Sequence, residues 1–369
     1  MSKVLVTGGL GFIGSHTVDL LVDKGYEVRV IDNLEKQVHL GRKPAYMNDK
    51  VEYIIGDIRT KSLMKKNIED VDYIIHLAAA VGVSQSFWQP IKYMDVNATG
   101  TSTIYEAITK SPNAKKNIKK IVVASSKSIY GEGAYMCKKH GLIYPNTRPI
   151  EQLKLGEWEV LCGECYETVS PVGIVESKPA QNLNPYALSK YATERIAIDY
   201  SFALNMPTVA FRYFNVFGTR QSLSNPYTGV IAIFLSRLKN REQPILFEDG
   251  EQLRDFIHVS DIARMNVLAL EKGEGVYNVG TGKPTSLKQM AKSLSTLLGL
   301  SIEPNISKDF RHGDNRHDYA NTSLMQRDFN TAAKKDLVEG LKELVEWSEK
   351  ENAKDFFKKQ QQERKKYLG

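Results

Sequence analysis

Over the first half of the chain, short runs that are apolar throughout alternate with longer stretches whose apolar positions recur every three or four residues. The runs fall at Val4–Val6, Val28–Ile31, Tyr53–Ile55, Tyr73–Ile75 and Ile121–Val123, with a sixth at Thr208–Phe211. A strand without a polar face has to be covered on both sides, and the amphipathic stretches between the runs supply the covering helices. The predicted fold class is α/β, a doubly wound parallel sheet.

Beyond Arg212 the alternation weakens. Helical patterns at 230–241, 259–270, 287–298 and 337–349 mix with short strands at 245–247 and 276–279, which predicts a smaller α/β lobe partly interleaved with the sheet domain. The expected division is a sheet domain over 1–212, a lobe over 213–353 and a charged tail over 354–369 that reads as a fraying helix. Residues 131–184, rich in Gly, Pro and Cys, form an irregular insertion whose length suggests a functional loop or lid. No internal repeat is visible.

The chemistry begins at the first strand-to-helix turn, Thr7-Gly8-Gly9-Leu10-Gly11-Phe12-Ile13-Gly14. Glycines here let the backbone approach a pyrophosphate, and the N-terminus of a helix starting near Phe12 supplies N–H donors, so Gly8, Gly11, Phe12, Ile13 and Gly14 are candidate dinucleotide ligands in a Rossmann-type unit. The spacing departs from Gly-x-Gly-x-x-Gly, but the second strand ends at Asp32, followed by Asn33, about twenty residues on, where a ribose-binding acid is expected. A carboxylate there repels a 2′-phosphate and favours NAD over NADP. Asp57 and Ile58 follow the third strand, with Asp57 a candidate acceptor for the adenine amine. Leu77, Ala78 and Ala79 follow the fourth and allow close approach to the cofactor. Tyr186 and Lys190 stand four apart on a helical stretch, one face presenting a phenol and an ammonium. Alone such a pair is usually a solvated helix face; beside a nucleotide fingerprint it reads as a proton-transfer pair, the cation lowering the phenol's pKa.

The 369 residues carry a net charge of +7, with lysine clusters at 115–116, 119–120 and 358–366 that read as solvated faces. No nucleic-acid motif with interleaved aromatics appears, and an anionic small substrate fits the charge better. No apolar run approaches the length of a membrane span, and the chain enters its first strand without a signal-peptide core, so a cytoplasmic protein away from membranes is expected. Cys137, Cys162 and Cys165 are an odd set without a disulfide framework. Cys162-Gly163-Glu164-Cys165 is half of a zinc motif, but a tetrahedral site needs two more ligands, for which only Cys137 and His140 are plausible, so no metal is expected.

These motifs together resemble the extended short-chain dehydrogenase/reductase family of NAD-dependent nucleotide-sugar epimerases and dehydratases, over nearly the whole chain. Ser125-Ser126-Lys127-Ser128-Ile129-Tyr130-Gly131 resembles the family's strand end whose serine, here Ser126, hydrogen-bonds the reacting sugar oxygen. Arg212-Tyr213-Phe214-Asn215-Val216-Phe217-Gly218 resembles the segment lining nicotinamide and sugar diphosphate, which implies cofactor contacts from Tyr213 and Phe214 and a substrate contact from Asn215. Arg254-Asp255-Phe256-Ile257-His258-Val259 resembles the segment whose arginine holds the diphosphate. Arg311 and Asp314 fall where the family places an arginine on phosphate and an acid on the nucleotide ribose. Arg254 and Arg311 have the chemistry of a bidentate diphosphate clamp.

The family's 4,6-dehydratases carry an Asp-Glu pair where this chain has Lys127 and Ser128, so the resemblance disfavours dehydration. Segments 79–86, 130–133 and 222–230, with the cysteine-bearing insertion, look like the dTDP-L-rhamnose 4-epimerase group. The resemblance implies C4 inversion of dTDP-L-rhamnose to dTDP-6-deoxy-L-talose through a transient 4-keto sugar, with Ser126, Tyr186 and Lys190 as catalytic residues and Tyr186 and Lys190 also touching NAD. The alternatives are another nucleotide sugar, such as UDP-glucose or UDP-N-acetylglucosamine, a 4-ketoreductase, or a silent NAD-binding regulator. The family also implies a homodimer through the Tyr186 helix and the helix at about 90–108.

Overall fold

In a computed structural model that describes residues 1–311 and 313–368, the apolar runs become strands β1 (Lys3–Thr7), β2 (Glu27–Asp32), β3 (Glu52–Ile55), β4 (Tyr73–His76) and β5 (Lys120–Ser126). They join strands Thr208–Tyr213 and Gly275–Val279 in one seven-stranded sheet, every pair parallel. Its order runs Gly275–Val279, Thr208–Tyr213, β5, β4, β1, β2, β3, so the chain reverses direction across the sheet between β1 and β4. That reversal opens a crevice at the strands' carboxyl ends, where nucleotides bind in such sheets.

Side chains alternate between two cores, as a period of two requires. Val4, Val6, Val28 and Val30 pack with Val18 and Leu21 of the helix Phe12–Asp23 on one face. Leu5, Ile31 and Ile74 pack with Ile104, Ile108 and Ala197 on the other. The strand predicted at 276–279 is therefore an edge of the main sheet rather than of the lobe, because Tyr277 and Val279 complete the first core.

A third core lies in the lobe, where Phe234 and Leu235 of Val230–Lys239, Met290 and Leu294 of Leu287–Leu297, and Leu341 and Leu344 of Leu337–Ser348 converge. The central strand there, Leu253–His258, is flanked by Asn215–Phe217, Pro284–Ser286 and His317–Asp318. The tail forms a helix, Phe357–Leu368, in which Gln360 donates to the Pro226 carbonyl and Tyr367 stacks on Trp88. Gly369, the last residue of the charged tail, lies outside the described residues. Among the described residues no helix is long and apolar enough to cross a membrane.

The insertion is less irregular than its composition suggests. Ala134–Cys137 pairs antiparallel with Gly141–Ile143 and Ser170–Val172 in a small sheet. Its outcome for the cysteines differs from the sequence expectation. That expectation of no metal rested on a shortage of ligands, and the fold brings Cys137 and His140 to Cys162 and Cys165.

Candidate active site

The turn after β1 is shaped by what glycine omits. Gly8 takes φ +71°, and a Cβ there would lie 2.7 Å from the Ala78 nitrogen after β4; a Cβ on Gly14 would lie 2.1 Å from the Gly8 carbonyl oxygen. Two elements can touch at this turn only because both side chains are missing. Gly11 caps the helix Phe12–Asp23 without any side-chain hydrogen bond, so the first N–H groups, at Phe12 and Ile13 among others, remain free for an anion. The cradle fits a dinucleotide pyrophosphate.

Asp32, at the end of β2, accepts from the Leu10 and Leu34 amides at 3.0 and 2.9 Å, one on each oxygen, and so ties the glycine turn to the rim. Each oxygen keeps a lone pair for a ribose hydroxyl. Asn33 donates to Asp57 at 3.3 Å. The Arg59 guanidinium, bonded to both Asp57 oxygens, holds that carboxyl down to about 2. Ile58 turns into the sheet's second core, so only its backbone faces the crevice. Leu77 and Ala78 donate their amides to the Thr7 carbonyl and hydroxyl. Ala79 continues the same segment toward Ala80, which Asn97 grips from both sides of its peptide.

Tyr186 is the second residue of the helix Pro185–Leu204. Asn184 caps that helix by accepting from the Ala187 amide at 2.8 Å, and Pro185 pre-sets its first turn. Lys190 and Glu194 follow at one-turn intervals on the same face. Ser126 ends β5, its hydroxyl accepting from the Ser128 amide at 3.1 Å and lying close enough to the Tyr186 phenol to favour its charged form. Tyr93 packs edge-on against Tyr186 with ring centroids 6.1 Å apart.

Burial decides the electrostatics here. It pushes the Tyr186 phenol up, and the Ser126 hydroxyl only partly opposes that. Burial also brings the Lys190 ammonium down to about 8, against the pull of the Glu194 carboxylate. The expected lowering of the phenol by its neighbouring cation is therefore outweighed in the free protein, because removing water penalises the phenolate and the ammonium alike.

The residues expected on the sugar side also gather, in unequal states. Asn215 donates to the Asp255 carbonyl at 3.2 Å. Arg254 spends its guanidinium on the protein: NH1 donates to the Leu253 and Arg316 carbonyls, NH2 to that of Asn315, and Nε lies 3.3 Å from Asp318. With five N–H groups in all, Arg254 retains about one for a ligand. Arg311 stacks on the Phe247 ring at 4.1 Å, and its buried Nε has no hydrogen-bond partner among the described residues. Asp314 closes the turn begun by Arg311 and sits 3.9 Å from Arg254. Tyr213 turns into the main core with its hydroxyl on Asn266, and Phe214 packs with Ile129 and Ile174, so these two offer mainly backbone to a cofactor.

Comparison with known proteins agrees with this geometry. Residues 5–147 match the model described as GDP-mannose 4,6 dehydratase, and residues 161–280 match the NAD dependent epimerase/dehydratase family. A putative UDP-glucose 4-epimerase of Methanocaldococcus jannaschii is 34% identical over 95% of this chain and 99% of its own length. The chain belongs to the NAD-dependent nucleotide-sugar epimerase family. Within that family, the dTDP-L-rhamnose 4-epimerase of Burkholderia thailandensis is 32% identical over 94% of each chain. The UDP-glucose 4-epimerase of Thermotoga maritima, solved with UDP-glucose, superposes with a TM-score of 0.77 at 30% identity, covering 94% of this epimerase and 99% of that chain.

Two features of the epimerase's site, Asn97 and Glu194, had no motif to announce them. Asn97 lies in a π-helical turn, Met94–Thr99, whose wider ladder turns its side chain onto Ala80 and Ser189 beside Tyr186. Glu194 receives Arg212 on both oxygens and Ser125 on one, anchoring the Tyr186 helix to the sheet. Its spacing, a turn beyond Lys190, was the one available signal. Lys127 turns to Asp318 at 2.7 Å and links the end of β5 to the lobe, away from the Ser126 hydroxyl.

Proposed function

We propose that this epimerase inverts C4 of a nucleotide-diphosphate sugar, converting dTDP-L-rhamnose to dTDP-6-deoxy-L-talose. The observation that carries the reaction type is the meeting of Ser126, Tyr186 and Lys190 beside the glycine cradle. NAD, which the Gly8–Gly14 turn and Asp32 would hold, would supply the hydride acceptor and donor for C4 and a positively charged ring to act with Lys190. Tyr186 takes the C4 hydroxyl proton and later gives one back. Ser126 hydrogen-bonds the same oxygen and fixes it between the phenol and the end of β5. Arg311, with a free Nε and a stacked plane, is the better diphosphate anchor; Arg254 orders the surrounding carbonyls. The sugar turns about that anchored diphosphate between the two hydride transfers.

Elimination at C6, the dehydratase reaction, lacks a proton donor and acceptor next to Ser126: Lys127 is paired with Asp318, and Ser128 bonds back to Ser126. The sugar is inferred from the resemblance of segments 79–86, 130–133 and 222–230 and from the relative in Burkholderia thailandensis. A second reading, UDP-glucose, is favoured by the relative in Methanocaldococcus jannaschii. Exposed Ile91, Leu188 and Phe202 on the helices at 90–93 and 185–204 support a homodimer through those surfaces. Three unbonded thiols suit a reducing cytoplasm.

Incubation with dTDP-L-rhamnose without reductant, monitored by NMR of the C4 proton coupling, is expected to show the talo isomer. Inversion of UDP-glucose or UDP-N-acetylglucosamine instead would move the sugar and keep the chemistry. Tyr186→Phe is expected to lower turnover by about 10²–10⁴ with NAD still bound, as removal of a general acid–base does. Unchanged turnover in that variant would overturn the role of Tyr186.

A further inference from the structure

The insertion that interrupts the sheet domain carries four soft ligands in two matching pairs. Cys137-Lys138-Lys139-His140 closes the hairpin between strands Ala134–Cys137 and Gly141–Ile143, and Cys162-Gly163-Glu164-Cys165 forms a second turn flanked by the Leu161–Thr168 bridge. Each pair has two residues between its ligands, and the hairpins face each other. The Cys137 and Cys165 sulfurs are 3.7 Å apart, His140 Nδ1 lies 3.6 Å from the Cys137 sulfur and 3.3 Å from that of Cys162, and all four donor atoms fall within 4.8 Å of one another.

These separations are the edges of a coordination tetrahedron. With Zn–S of about 2.3 Å and Zn–N of about 2.1 Å, tetrahedral geometry requires S···S near 3.8 Å and S···N near 3.6 Å. A disulfide requires about 2.05 Å, and three thiols with one imidazole leave a disulfide without use for the remaining two groups. We propose that Cys137, His140, Cys162 and Cys165 bind one zinc ion as a closed structural site.

The surroundings are those of such a site. Backbone N–H groups of Glu164 and Cys165 reach the Cys162 sulfur, and those of Lys139 and His140 reach the Cys137 sulfur, the pattern that stabilises thiolates in turns with this spacing. His140 directs Nδ1 at the sulfurs while Nε2 lies 3.4 Å from the Glu164 carboxylate, which fixes the ring and its tautomer. All four ligands are provided by protein and two of the sulfurs are buried, so no position is left for substrate and the ion is structural.

There is also a need for it. The apolar cluster beneath the site consists of Tyr135, Cys137, Val160, Cys162 and Val169, too few residues to hold a separate unit, and small units of this kind rely on a metal or a disulfide. Three residues before Cys162, Glu159 reaches out to Arg316 and His317 at 3.0 Å each. The backbone carbonyls of Asn315 and Arg316 in turn hold Arg254. The ion thus clamps the base of an arm that orders the substrate lobe.

The test uses the full-length protein expressed in zinc-supplemented medium and purified under reducing conditions without chelator. Metal analysis is expected to give about one zinc per chain, as four protein ligands of this type retain it. Cobalt exchanged into the site is expected to show the thiolate-to-metal charge transfer and intense visible bands of a tetrahedral sulfur-rich centre. Cys162→Ala/Cys165→Ala is expected to lose the ion and to become susceptible to proteolysis within 134–172. Wild-type protein purified free of zinc, cobalt uptake without thiolate charge transfer, or a double variant that still holds stoichiometric zinc would each overturn the proposal. Metal content and the cobalt spectrum are read on the wild type, so the outcome stands even where the double variant fails to fold, and neither depends on which sugar is epimerised.

Discussion

Lys190 shows what a buried cation costs. Its ordinary value is 10.5 and burial brings it to about 8, a displacement worth on the order of 3 kcal/mol of folding stability at neutral pH. The sign is set by proton counts. Between about pH 8 and 10.5 the unfolded chain holds the proton that the folded chain has lost, so stability rises with pH across that window, and below it the full cost is present. Lys190→Met keeps the stem and removes the charge. The variant is expected to lose turnover while melting at a higher temperature at pH 7, with the gap in Tm closing between about pH 8 and 10.5. An unchanged or lower Tm across that range would show that the ammonium is not strained by burial. The placement of Tyr186 and Lys190 one turn apart on a helix was legible from a four-residue spacing next to a glycine fingerprint. Its electrostatic sign was not, since linear sequence carries spacing but not the amount of water excluded around a phenol.

Elements were legible where one rule dominated. Parallel strands buried on both faces read as unbroken apolar runs, which is why β1 to β5 and the helices of the lobe lie close to their expected positions. The π-helical turn at Met94–Thr99 has no such pattern, because it is defined by what Asn97 must reach and not by an apolar face. The end of β4 is similar. His76 is buried with Nδ1 2.7 Å from the Thr7 hydroxyl and Nε2 3.0 Å from that of Thr101. Thr7 already accepts from the Ala78 amide and Thr101 donates to the Asn97 carbonyl, so the ring is neutral with its proton on Nε2.

Desolvation, with the Lys190 charge behind it, lowers His76 to about 3. The unfolded chain then binds a proton below about pH 6.5 that the fold refuses, and stability is lost as pH falls from there toward 3, by up to about 5 kcal/mol. His16, His39 and His258 are pushed down by burial too, and Asp57 and Asp70, held near 2 by Arg59 and Arg29, add their losses at lower pH. The share of His76 is therefore read as a difference. Urea midpoints measured from pH 7 to 4 are expected to fall less steeply in His76→Gln than in the wild type, and parallel curves would sink the assignment.

At the scale of the molecule, the sheet domain and lobe share one apolar core, and the insertion is tied to the lobe by buried charge. Arg316 is fully buried, with Nε and NH2 on Glu159, NH1 on Glu248, and both terminal nitrogens on Asp249; its amide donates to Glu132. Arg148 of the insertion reaches the same Glu248 on both oxygens. None of these groups stood out in the sequence, because each is an ordinary charged residue until the insertion folds against 314–318. Such a network is costly to form and more costly to break: removing Arg316 leaves the buried Glu248 with Arg148 alone, a loss of up to about 3–5 kcal/mol, while Glu159 and Asp249 keep contact with water. The carbonyls of Asn315 and Arg316 carry Arg254, and Asp314 is tied directly to the Arg311 turn. A break there should therefore reach Arg254 and Arg311, the proposed diphosphate contacts, while leaving Tyr186 in place on its own capped helix. Arg316→Met is expected to lower unfolding stability by up to about 3–5 kcal/mol and to raise KM for the nucleotide sugar several-fold more than it lowers kcat. A fall in kcat alone would mean that the lobe and the Tyr186 helix are coupled by another route, through Lys127 and Asp318 at the end of β5.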